Sequence, residues 1–160
     1  MSEFFKPKLQ AVTALAPYRL ETRWDTGEVL EVDVDATLRS VPALAPLLDP
    51  DTFAKARIDD WGHGISWLDA ELGADNVYAL AKEQSGAVSH QMWDAWMRRN
   101  NLSLQTAAQA LGISRRMVSY YRTAQKPVPR AIWLACLGWE AIQGAPQALP
   151  KSLPRVSQLA

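Results

Sequence analysis

Residues 104–123 read LQTAAQALGISRRMVSYYRT, a stretch with three arginines and no carboxylate. Ser103 offers its hydroxyl as a cap for a helix over LQTAAQAL, because a side-chain oxygen there satisfies N–H groups that a first helical turn leaves bare. Gly112 then supplies the left-handed conformation that closes a helix before a tight turn. Ser114 caps a further helix, RRMVSYYRT, and Lys126-Pro127-Val128-Pro129 stops it, since proline cannot continue the hydrogen-bond ladder. Ala108 is small where the two helices would cross, and Leu111, Ile113 and Val118 are placed to share one core.

This spacing of Ala108, Gly112 and Val118, with a short connection through Ile113 and Ser114, is the helix-turn-helix pattern. The flanks predict the rest of a bundle. SHQMWDAWMRRN over 89–100 sets Met92, Trp93, Trp96 and Met97 on one face of a helix capped by Ser89. Pro129 suits the first turn of a helix over RAIWLACLGWEAI, whose Ile132, Trp133, Cys136, Leu137 and Ile142 would cover the bundle. Around the turn, Leu111-Gly112-Ile113-Ser114 and Val118-Ser119-x-Tyr121 resemble the lambda-repressor and Cro class of DNA-binding domains, over about residues 89–142. The resemblance implies an all-α domain that places one helix in the major groove.

If Met117, Val118 and Tyr121 face the core, the outward side of that helix carries Ser114, Arg115, Arg116, Ser119, Tyr120 and Thr123. Arg115 or Arg116, near its start, is expected to make two parallel hydrogen bonds to guanine O6 and N7, a contact worth about 1–3 kcal/mol of discrimination. Ser119 or Tyr120 would read a neighbouring base edge. Gln105, Thr106, Arg122 and Lys126 are expected to hold phosphates and set register without reading sequence. A carboxylate on this side would repel a polyanion, which accounts for its absence. Modules of this kind generally bind as two copies on adjacent half-sites, so double-stranded DNA and a second copy are the expected partners.

Charge divides the chain in the same place. Seventeen basic and seventeen acidic side chains cancel overall. Residues 87–160, however, carry nine basic side chains against Asp94 and Glu140 alone, a net of +7, and residues 1–86 carry −7. Such opposed halves point to a polyanion-binding segment, and to the hypothesis that the acidic half docks on, or keeps DNA from, the basic helix. Three parts are therefore expected: a small α+β domain over 1–86, a helix-turn-helix domain over 87–143, and a flexible tail over 144–160 with Pro146, Pro150 and Pro154.

The first half reads as strands in QAVTALAP, YRLETRW and EVLEVDV. In the second of these Tyr18, Leu20, Thr22 and Trp24 alternate with Arg19, Glu21 and Arg23; in the third, Val32 and Val34 alternate with acids. Asp25-Thr26-Gly27 suits a short hairpin. Pro42, Pro46 and Pro50 limit VPALAPLLDPDTF to one or two helical turns, and ARIDDWGHGISWL predicts a second hairpin bending at Gly62-His63-Gly64. Asp75 is expected to cap a helix over DNVYALAKE with Val77, Leu80 and Ala81 inward, ended by Ser85 and Gly86. Trp24, Trp61 and Trp67 are expected to cluster over the sheet. Tyr18, Leu20, Gly27, Asp33 between two valines, Phe53 after Asp49-Pro50, Ile58, Ile65 and Trp67 together resemble the bacterial family called domain of unknown function 2442, over roughly residues 8–82. That resemblance implies a fold and carries no catalytic residues.

No glycine-rich phosphate loop, paired-acid motif or nucleophile elbow is present. His63 with Asp59, Asp60 and Asp69 nearby is the best catalytic constellation, but a histidine between two glycines reads as a turn residue, and no enzyme is expected. With one cysteine and two histidines, no zinc site or cofactor is expected, and Cys136 reads as a buried apolar residue. No membrane span or secretory leader is legible, so a cytoplasmic location is expected. The sequence thus predicts a two-domain transcriptional regulator with an acidic sensor or partner-binding domain. An alternative is an antitoxin-like module whose first domain grips a protein and whose DNA binding is autoregulatory.

Overall fold

A computed structural model describes residues 5–144, so the expected tail lies outside the described residues beyond Gly144. Strands β1 (Leu9–Leu15), β2 (Arg19–Trp24) and β3 (Val29–Asp33) form an antiparallel sheet in that order. Alternation decides its faces: Leu20, Thr22, Trp24 and Val32 are buried, while Glu21 and Arg23 point outward or to the margin. The buried Thr22 hydroxyl is satisfied twice, donating to the Leu30 carbonyl and accepting from Trp24 Nε1, both at 2.8 Å. Gly27 adopts φ +88° in the hairpin after Trp24, as its position in the sequence requires.

The connection after β3 holds more helix than the proline spacing implies. Helix α1 (Asp35–Ser40) is an addition to the expected elements; its Leu38 is buried and Arg39 pairs with Asp35 one turn back. A 3-10 segment (Pro42–Leu48) and the single turn α2 (Pro50–Phe53) follow, the latter capped by the Asp49 carboxylate. A second antiparallel sheet contains β4 (Arg57–Ile58), β5 (Gly64–Ser66) and β6 (Glu71–Gly73), of which β6 is likewise additional. Gly64 belongs to β5, so the bend spans Asp59–His63. Helix α3 (Ala74–Gln84) begins after Gly73, earlier than the expected cap; Asp75 lies inside its first turn and Gly73 holds the cap position.

Trp24 and Trp67 join the sheet core with Leu38, Phe53, Ile65 and Val77, but Trp61 is 76% exposed on the β4–β5 turn, a correction to the expected cluster. Its turn leaves the ring in solvent, whereas Trp67 is drawn in by a hydrogen bond from Nε1 to the Phe53 carbonyl.

A second core gathers Trp93, Trp96, Met97, Ala107, Ala108, Val118, Tyr121, Val128 and Cys136. It is built by α4 (His90–Arg99), α5 (Leu104–Leu111), α6 (Arg115–Arg122) and α7 (Arg130–Gly144). Ser89 and Ser103 cap α4 and α5 as their sequence positions predict. Trp96 Nε1 donates to the Cys136 carbonyl at 3.1 Å, fixing α7 on α4. Burial pushes the Cys136 thiol up to about 12, consistent with an apolar packing role. Leu137, expected inward, is 40% exposed. The described residues form an α+β arrangement: antiparallel sheet first, helices after. No helix among them is long and apolar enough to cross a membrane.

Candidate nucleic-acid interface

Helices α5 and α6 meet across Gly112, Ile113 and Ser114. Gly112 takes φ +68°, and its neighbour Ile113 donates its N–H back to the Ala108 carbonyl at 3.1 Å. The pair is thereby locked at its corner by a hydrogen bond that a left-handed residue makes possible. Ala107 and Ala108 are buried in one cluster with Val118, so small side chains let α5 approach α6 closely. Both helix starts are capped. Ser103 and Thr106 exchange reciprocal bonds at the start of α5, and the Ser114 hydroxyl accepts from Met117 N–H at 3.0 Å.

This bracing presents Arg115 and Arg116 to solvent, with Ser119 and Tyr120 half-exposed one turn further on. The Arg116 guanidinium lies 5.5 Å from the Tyr120 ring centre and the Lys126 ammonium 5.2 Å from it, so Tyr120 holds two cations by its π face. Lys126 is also placed by its backbone, whose N–H reaches the Tyr120 carbonyl at 3.2 Å. Gln105 and Thr106 are exposed at the start of α5.

Both carboxylates of the basic half are engaged elsewhere. Asp94 on α4 accepts from Arg98 at 2.6 Å and from Arg122 at 3.0 Å. Glu140 on α7 accepts from Arg99 at 2.7 Å and from Asn100, and these bonds hold its carboxyl below the usual range. Among the described residues, no ion pair reaches Arg115, Arg116 or Lys126. The start of α6 therefore carries cationic charge that the described residues do not neutralise.

Two expected contacts sit differently. Thr123 is buried, 7% exposed, because it ends α6: its hydroxyl turns back to the Ser119 carbonyl at 2.9 Å. It does not share the outward face. Arg122 is half-buried with its Nε on Asp94, a partner 28 residues away that no local pattern could show. Thr106 and Ser114 spend part of their hydroxyl capacity on caps. His63 is exposed in its turn, where its backbone N–H bonds Asp59 Oδ1 at 2.8 Å.

The acidic half meets α6 at the far end from Arg115. Ala124, at φ +61°, packs on the sheet core, and Lys6 N–H donates to the Thr123 carbonyl. The arginines at the start of α6 stay open, so this arrangement does not mask them. Sequence reasoning does not foresee the Phe5–Lys6 connection, because a pair of residues ahead of the first strand has no periodicity to read.

Residues 9–83 match the family model described as Protein of unknown function (DUF2442). The crystal structure of a Nitrosomonas europaea protein, described as a "Putative DNA Binding Protein", is 65% identical in sequence and superposes with a TM-score of 0.85. The match covers 94% of this chain and 97% of that one. No curated protein matches the chain. This chain and the Nitrosomonas europaea protein belong to one family.

Proposed function

We propose that this member of the Nitrosomonas europaea protein's family is a DNA-binding transcriptional regulator, with α5 and α6 acting as a helix-turn-helix of the lambda-repressor and Cro kind. The observation that carries the reading is the start of α6: two exposed arginines without a carboxylate partner among the described residues, braced by α5 across left-handed Gly112. A helix held this way enters the major groove with its first residues nearest the bases. Arg115 or Arg116 then bonds guanine, Ser119 or Tyr120 meets an adjacent edge, and Gln105, Thr106, Ser114 and Lys126 take phosphates. Arg122 contributes charge beside this face while bound to Asp94. Two copies on adjacent half-sites complete the contact.

In this reading the chain divides near residue 86 into an acidic sensor or partner-binding domain and a basic reading domain, acts inside the cell, and performs no catalysis. Selecting bound duplexes from a random pool tests it. A shared motif enriched by the wild-type chain supports the reading, and no enrichment over input rejects it.

A second reading is an antitoxin-like module that neutralises a protein and binds DNA to regulate itself. It draws on Trp61 and Leu68, which are 76% and 89% exposed on two turns of the acidic domain. Large apolar side chains so placed suit a protein partner's pocket. Co-purification of a stoichiometric partner that is lost with Trp61→Ala would favour it.

A further inference from the structure

The junction between the two cores encloses a polar residue without a partner. His90, the first residue of α4, is 9% exposed, and its buried Nδ1 makes no hydrogen bond among the described residues. A buried polar atom ordinarily has a partner, so an unpaired one marks a place that a ligand can complete. His90 forms part of the wall of a cavity of about 50 Å³ between α3, the start of α4, the end of α6 and residues 124–128. The charged walls of that cavity are Lys82 and Lys126, beside Tyr78, Tyr121 and the apolar Val88 and Val128. Among the described residues no carboxylate lines it. Glu28 holds Lys82 from the neighbouring crevice, whereas Lys126 has no ion-pair partner among the described residues. A cationic guest would face two ammonium groups, while an anionic one has charge-assisted hydrogen bonds to make.

The backbone of the same wall gives a separate sign. Ala124 takes φ +61°, a left-handed conformation that costs any residue with a Cβ. Such positions gather at corners that hold ligands. Shape then defines the rest of the guest. Ala87, Val88 and Val128 border both this cavity and a groove of about 440 Å³ that reaches Met92 and Trp133. At roughly 10–15 Å³ for each water-sized group, the cavity holds a carboxylate, and the groove holds what is attached to it.

We propose that this junction binds a small organic acid, a monocarboxylate with an apolar aromatic or branched body. Lys126 and His90 take the carboxylate, the neutral imidazole donating from Nδ1, and the body lies along Val88 and Val128. The site stands without the DNA-reading proposal. The two meet at Lys126, where a carboxylate on the ammonium competes with the phosphate assigned to it above. Loosening of DNA by the ligand is therefore the one consequence that rests on that reading.

Titration of the full-length chain with benzoate, without DNA and in chloride-poor buffer, tests the site. Calorimetry should show one site of millimolar or tighter affinity, with uncharged benzamide at least about tenfold weaker. Lys126→Gln should weaken benzoate by at least about tenfold. Ala87→Phe, at an exposed position bordering both spaces, should weaken it as much with an unchanged melting temperature. The chain's two histidines give a local readout: benzoate should shift the imidazole resonances of His90 and leave those of His63, exposed on its turn, unmoved. Absence of saturable binding, equal binding of benzamide, full affinity in either variant or a response at His63 instead of His90 would each overturn the proposal. Duplex DNA enters only in a separate titration. A chain that binds benzoate but no duplex counts against the proposed function alone, and one that binds duplex but no benzoate counts against this site alone.

Discussion

The backbone N–H of Lys6 donates to the carbonyl of Thr123 at 3.0 Å, tying the approach to the first strand to the residue that ends α6. Beside it, Phe5 meets Trp24 and Tyr78 edge-on at 6.1 and 5.4 Å and lies 4.8 Å from the His90 ring. One short segment thus bridges the sheet core, α4 and the closed end of α6. The opposite end of α6, with Arg115 and Arg116, is left to other partners.

Removing this bridge should cost stability without touching the exposed start of α6. Phe5 is only partly buried, so Phe5→Ala should lose about 2 kcal/mol, below the roughly 3–5 kcal/mol of a fully enclosed phenylalanine. Urea denaturation measures the loss. DNA affinity under conditions where the variant is folded should stay within about twofold, since a 1.4 kcal/mol change would already be tenfold.

Two glycines with similar dihedral angles should respond differently to alanine. Gly112 has φ +68° and open space where a methyl would sit, so Gly112→Ala should cost only the left-handed backbone penalty of about 1–2 kcal/mol. Gly62 has φ +70°, but a methyl there would lie 2.4 Å from the Leu9 carbonyl oxygen, which is backbone and cannot swing aside. Gly62→Ala should therefore be clearly the more destabilising in thermal melts.

How far the sequence foretells this molecule depends on how local each cause is. Gly112, Ser103 and Ser89 act within four residues, and their turns and caps are legible at once. Alternation likewise reveals the buried side of β2. Thr123 is misplaced by pattern alone because helical periodicity continues a face past the residue where the helix closes. Asp75 looks like a cap by type, yet the chain enters α3 through Gly73, which no side-chain pattern marks. Strand β6 is three residues long and pairs only through tertiary context. The Asp94–Arg122 pair and the Lys6–Thr123 bond join distant positions, and only the folded chain brings them together.

Acid should weaken the fold through His90. Burial pulls its imidazole down from 6.5 to about 4, against the opposing pull of Asp75 and Asp94. Its Nδ1 also lacks a hydrogen-bond partner among the described residues. The unfolded chain therefore takes up a proton that the folded chain refuses, so this contribution is intact above pH 6.5 and is lost as pH falls toward 4. His90→Phe should show a shallower decline of unfolding free energy across that window than the wild type, with the carboxylates common to both cancelling in the comparison.

Lys126 tests the division between positioning and reading. It sits on the Tyr120 ring and has no ion-pair partner among the described residues. Lys126→Ala should weaken binding to every duplex alike and reduce the slope of log affinity against log salt by about 0.9, the share of one phosphate. A loss confined to selected sites would instead make Lys126 a base reader.

The most direct measurement compares Arg115→Ala and Arg116→Ala with the wild type on a selected duplex and on random duplex at one salt concentration. At least one variant should lose about 1–3 kcal/mol on the selected site, roughly 5- to 150-fold, with a much smaller loss on random DNA. Equal losses on both duplexes, or none on either, would contradict the claim that the start of α6 reads base edges.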